Sequence, residues 1–105
     1  CYPVAKMVSD NEADKGIISC MSGIGAVITA NKVKGARAGL CHTEYLARQG
    51  VEHDDMNILC IGSKIVDHNI IENIIDEFLN AKFLTDEKYS RRLNKVIDIE
   101  NSESI

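Results

Sequence analysis

The chain of 105 residues is 45% hydrophobic and 27% charged, a composition ordinary for one soluble globular domain, which excludes disorder and collagen-like repeats. Its formal net charge of -4 at pH 7 argues against a nucleic-acid footprint, which needs a basic stripe, yet a small anion needs only a few placed cations and backbone amides. No apolar run reaches the length of a membrane span, and no basic stretch precedes an apolar one at the N-terminus, so the chain reads as cytosolic.

In chain order, Val4 to Val8 spaces its apolar residues as a helix does, with Pro3 tolerated in the first turn. A polar stretch from Asp10 to Lys15 leads to Gly16-Ile17-Ile18-Ser19-Cys20, a β-branched run that predicts a buried strand. The glycine-bearing turn Met21-Ser22-Gly23-Ile24-Gly25 follows, then a predicted helix over Ala26 to Lys32. Ala36 to Cys41 reads as a second strand of small residues, and Thr43 as the N-cap of a helix from Glu44 to Gln49 that ends near Gly50. Asn57 to Gly62 reads as a third buried strand. Asp67 is the expected N-cap of a helix whose stripe is Ile70, Ile71, Ile74, Ile75, Phe78 and Leu79. A last helix is predicted from Asp86 through Tyr89, Leu93, Val96 and Ile97, with fraying over Asn101 to Ser104.

This βαβαβα alternation implies an α/β fold: a three-layer, Rossmann-like parallel sheet with helices on both faces. Ligands bind such sheets at the carboxyl edge of the strands. Three strands are few for a sheet of this kind, so further N-terminal strands or a partner chain are expected to cover its edge. The chain starts at Cys1 without an initiator Met, and a processed or truncated product, a partial single domain over residues 1–105, is expected.

The four cysteines, Cys1, Cys20, Cys41 and Cys60, are never spaced Cys-x-x-Cys, so neither zinc-site nor thioredoxin spacing is present. Cys41 and Cys60 lie inside apolar strands and read as core thiols. Cys20 differs: it ends a strand and is followed by a run of turn amides and a helix start, whose partial positive charge favours a thiolate and a neighbouring oxyanion. Glycine turns of this kind also bind phosphates in many folds, and a packed strand-end thiol fits the same pattern.

The stretch from Gly16 to Gly25, with Ala30-Asn31-Lys32 and Gly35-Ala36-Arg37-Ala38, resembles type B ribose-5-phosphate isomerases. The likeness continues through Cys41-His42-Thr43-Glu44-Tyr45-Leu46-Ala47-Arg48 and Glu52-His53-Asp54-Asp55-Met56-Asn57-Ile58-Leu59-Cys60-Ile61-Gly62-Ser63. Tyr2-Pro3 resembles the start of the family's second helix, so the resemblance implies that the family's opening strand-helix-strand segment, with its Asp-His pair, is absent. It further implies aldose-ketose isomerisation of a sugar phosphate through an enediolate, with no metal and no organic cofactor, in a homodimer whose site lies near the interface.

By the same resemblance, Cys20 matches the base and His53 the acid that opens the sugar ring, a task suited to a side chain that exchanges protons near neutrality. The amides of Met21, Ser22, Gly23, Ile24 and Gly25 would hold the enediolate oxygen. Arg92, Lys88 and Lys64 fall at phosphate-binding positions, where lysine replaces arginine twice and loses bidentate geometry. Asp54 stands near the sugar in place of a common asparagine, and Met21 in place of glycine. Leu84 to Tyr89 departs from a Gly-Gly-Arg-His pattern, and its acidity resembles that of galactose-6-phosphate isomerase subunits. A galactose or allose phosphate is therefore the alternative substrate within the family, and a non-catalytic remnant the alternative outside it.

Overall fold

The structure is a computed structural model that describes residues 1–103. Its elements are α1 (Tyr2–Ser9), β1 (Gly16–Cys20), α2 (Ile24–Ala30), β2 (Ala38–Leu40), α3 (Glu44–Asp54), β3 (Ile58–Gly62), α4 (His68–Asn80) and α5 (Glu87–Glu103). The strands form one parallel sheet in the order β1-β3-β2, with Cys20 opposite Gly62 and Leu40 opposite Cys60. The expected three-layer α/β architecture is therefore what forms.

Sequence and layer position agree most closely at β3, where all five residues are buried. A strand with neighbours on both sides and helices on both faces must be apolar throughout, not alternating. Ile58 and Cys60 face a cluster built with Ala5 and Val8 of α1 and Ala26 and Ala30 of α2. Leu59 and Ile61 face the opposite cluster, with Ala47 and Val51 of α3 and Ile74 and Phe78 of α4. Helix α4 is locked at its end by Lys15, whose ammonium donates to the carbonyls of Phe78 (2.6 Å) and Ala81 (3.1 Å) and lies 4.9 Å from the Phe78 ring centroid. Burial lowers the Lys15 pKa, an effect opposed by the charge of Asp55.

Two caps read from the sequence form: Thr43 Oγ1 accepts from Leu46 N–H at 3.2 Å, and the Asp67 carboxylate accepts from Asn69 N–H at 2.9 Å. Several boundaries differ, among them those of α2, α3 and β2, which is shortened to Ala38–Leu40. Helix α3 passes Gly50 and stops only at Asp55, which turns left-handed (φ 53°); Asp55 N–H donates to the Val51 carbonyl and Met56 N–H to the Gly50 carbonyl, and burial of Val51 against the sheet outweighs the local stop signal. Helix α2 begins at Ile24, two residues earlier than expected. The α4 stripe is broader than the face it buries, since Ile70 and Leu79 are exposed. Helix α5 continues through Asn101 to Glu103, and Ser104, in the tail expected to fray, lies outside the described residues.

The outer side of β2 carries a local device. Arg37 O accepts from Ile58 N–H and Cys41 N–H donates to Cys60 O, so parallel pairing turns the backbone of Ala38 away from β3. Both groups are taken by one side chain: Ala38 N–H donates to Asn31 Oδ1 (2.8 Å), and Asn31 Nδ2 donates to Ala38 O (3.0 Å). Among the described residues, no helix is long and apolar enough to cross a membrane.

Candidate active site

Cys20 closes β1 at the carboxyl edge of the sheet, half-buried, and the chain turns sharply after it. Gly23 makes the turn with φ 82°, a value that side chains rarely adopt. Its open face lies against Leu40 Cδ1 and the Gly62 backbone. Ser22 Oγ accepts from Ile24 N–H at 3.4 Å, which starts α2. In that first turn, helix geometry leaves the N–H groups of Gly25 and Ala26 without intrahelical partners.

The loop after β3 fixes this turn from the other side. Ser63 donates to the Cys20 carbonyl through its N–H (2.7 Å) and its hydroxyl (3.1 Å), and Lys64 N–H donates to the Met21 carbonyl (3.1 Å). Lys64 is thereby held beside the Cys20 loop. Close approach is possible because Gly62 has no side chain: a Cβ there would stand 2.5 Å from the Ser22 carbonyl oxygen. Met21 and Ile24 are exposed at the mouth. The sequence drew no attention to Ser63, since a serine after a strand is common and its role appears only once β1 and β3 are paired.

A second group gathers elsewhere. Helix α3 starts at the carboxyl edge, after β2, and runs back about 16 Å over its eleven residues. His53 and Asp54 therefore stand toward the amino edge, ahead of Ile58, and one chain does not bring them to Cys20. Leu84 N–H donates to Glu52 O at 3.0 Å, which ties the loop leading into α5 to the last turn of α3. The rings of His53 and Tyr89 then stack, with centroids 4.3 Å apart and planes 12° apart. Lys88 Nζ lies 4.9 Å and Arg92 Cζ 5.9 Å from the Tyr89 ring centroid.

The residues singled out from the sequence thus fall into two sets: Cys20, the Met21–Gly25 turn and Lys64 in one, and His53, Asp54, Lys88 and Arg92 in the other. A cavity of about 1050 Å³ follows the outer side of β2 and reaches Asp54 and Arg92, but Cys20 does not line it. Chemistry, not volume, marks the Cys20 turn. His42, one residue past Cys41, was given no role by the sequence; its Nε2 is buried without a hydrogen-bond partner among the described residues, an arrangement that calls for an explanation.

Burial pushes the Cys41 thiol up to about 11, and pushes Cys60 up to about 11 as well, with the neighbouring Cys20 and Cys41 thiols adding to the effect. Both side chains belong to the core, as expected. At about pH 8, iodoacetamide is expected to modify Cys1 and Cys20 and to spare Cys41 and Cys60 until denaturant opens the fold. Peptide mapping by mass spectrometry reads this directly, and rapid native labelling of Cys60 would contradict it.

A family model described as Ribose/Galactose Isomerase matches residues 1–96. The galactose-6-phosphate isomerase subunit LacB of Clostridium acetobutylicum is 42% identical over 87 residues, covering 78% of this chain and 50% of that protein. The type B ribose 5-phosphate isomerase structure from Trypanosoma cruzi has a TM-score of 0.95 at 41% identity, covering 97% of this chain and 67% of the other. That of ribose-5-phosphate isomerase B from Mycoplasma genitalium with bound ribulose-5-phosphate has a TM-score of 0.88 at 37% identity, covering 95% and 66%. The chain spans between 50% and 66% of the length of three curated relatives that it matches.

Proposed function

The chain belongs to the ribose/galactose isomerase family, and from that premise we propose that it interconverts ribose 5-phosphate and ribulose 5-phosphate with Cys20 as the base. The observation that carries this reading is the Cys20 turn itself, a thiol at a strand end whose following loop is clamped by Ser63 and Lys64. The Cys20 thiolate takes the proton from C2 of the open-chain aldose. The C–H electron pair becomes the C1–C2 double bond, and the carbonyl electrons move to O1, where the amides of Ser22 to Gly25 offset the new charge. Return of the proton to C1, with transfer of the C2 hydroxyl proton to O1, forms the C2 carbonyl and completes the ketose.

His53 opens the sugar ring in this reading, with Arg92, Lys88 and Lys64 holding the phosphate and Asp54 near the sugar. The separation of His53, Asp54, Lys88 and Arg92 from Cys20 within one chain supports a homodimer in which a two-fold axis brings the His53 set of one copy to the Cys20 turn of the other. Mixing inactive Cys20→Ala and His53→Ala chains is then expected to restore roughly a quarter of the parental sites, since only mixed dimers hold one complete site. Absence of any recovery after co-refolding would sink the shared site.

A coupled assay over ribose 5-phosphate and a panel of hexose 6-phosphates tests the substrate. The similarity to a galactose-6-phosphate isomerase subunit favours the six-carbon alternative as second reading, and preference for a hexose phosphate would establish it; no turnover on any sugar would remove the isomerase reading. Gly62→Ala offers a geometric check. Its new Cβ would meet the Ser22 backbone at 2.5 to 2.8 Å, and displacing the turn is expected to cost turnover about a hundredfold with helical circular dichroism retained. Undiminished turnover would show that the turn is not part of the site.

A further inference from the structure

We infer that Tyr89 is a positioning residue for His53, fixing the plane of the imidazole for sugar-ring opening by stacking instead of by a hydrogen bond; this rests on the isomerase reading above. Among the described residues, no hydrogen bond holds the His53 ring, and its one ring contact is the Tyr89 face at 4.3 Å, tilted by 12°. The partner ring is itself placed by backbone: Leu84 N–H donates to Glu52 O, one residue before His53, and Tyr89 and Ser90 donate to Asp86 O in the first turn of α5. The stack therefore follows from how α5 is seated on α3.

The chemistry gives this mode of support a purpose. Opening a furanose requires a proton delivered to the ring oxygen and another withdrawn from the anomeric hydroxyl. A histidine oriented by a carboxylate or carbonyl commits one nitrogen to that partner. Stacking on an aromatic face fixes the ring plane and leaves both edge nitrogens open, so one imidazole is equipped to give at one nitrogen and take at the other. The same tyrosine draws in Lys88 and Arg92 by cation–π attraction, which sets the ring-opening group and two candidate phosphate cations around a single side chain.

Ribulose 5-phosphate provides the test, because its 5-oxygen carries the phosphate and it cannot close a five-membered ring. Exchange of its C1 hydrogen with deuterated solvent reports Cys20 chemistry without ring opening, whereas turnover of ribose 5-phosphate needs both. Tyr89→Ala is expected to lower ribose 5-phosphate turnover on the order of tenfold relative to C1 exchange, and Tyr89→Phe to restore the parental ratio. The His53 ring-proton resonances, shifted upfield by the tyrosine in the parent, should move downfield in Tyr89→Ala alone.

Equal loss of both activities in Tyr89→Ala, or no loss, overturns the positioning role, as does a Tyr89→Phe variant that behaves like Tyr89→Ala. An unmoved His53 resonance overturns it at the level of the stack. A parent that shows neither turnover nor C1 exchange sinks the isomerase reading, and the positioning role with it; the resonance comparison then still decides whether the stack exists.

Discussion

Replacing Cys20 with alanine is expected to reduce isomerisation by about a thousandfold or more, the scale on which a positioned base contributes, while sugar-phosphate binding survives. Alanine at residue 20 removes the only group that the Cys20 turn offers as a proton acceptor, yet leaves intact the Ser63 and Lys64 hydrogen bonds, which use the backbone carbonyls of Cys20 and Met21. Binding and turnover should therefore separate. Steady-state kinetics beside isothermal titration with ribose 5-phosphate reads both. Parental turnover in the variant would remove Cys20 from the mechanism, and joint loss of binding would indicate that the turn itself collapses without the thiol.

The largest expected stability loss is at Phe78, which is fully buried between α4 and the sheet among Val51, Ile61 and Ile74. Phe78→Ala removes most of a ring from a close-packed interior, and such changes cost about 3–5 kcal/mol against a total of about 5–15 kcal/mol for a typical domain. The Lys15 ammonium also loses the ring that it lies against, while its bonds to the Phe78 and Ala81 carbonyls remain available. Urea unfolding followed by circular dichroism should show the midpoint falling sharply with the slope little changed. A shift worth under about 1 kcal/mol would mean that the cluster repacks around the gap.

The layered fold was legible because its signals are local: a β-branched run for β1, an unbroken apolar run for β3, and capping residues at Thr43 and Asp67. The end of α3 was not, because Gly50 is a local stop signal and the burial that overrides it depends on the distant sheet. The Cys20 turn was legible as a thiol followed by glycines. What the sequence could not convey is that His53 falls at the other end of α3, since direction along a helix is set by which sheet edge the helix leaves from. The stack of His53 on Tyr89 was equally hidden, as it joins two helices through a loop whose path depends on a backbone bond from Leu84 to Glu52. Ser63 and His42 carry no signal of their own and gain meaning only from their neighbours.

The Asn31 amide on Ala38 gives the sheet a polarity across its width. On the β2 side the outward N–H and C=O of Ala38 are already engaged by a group that imitates a short piece of strand, whereas among the described residues β1 is paired only with β3. Strand addition to this sheet is therefore one-sided: a newcomer finds its backbone template along Gly16 to Cys20, and the opposite margin behaves as a chain terminator. A sheet built so is extended at its β1 margin and does not propagate from both margins into an open-ended stack.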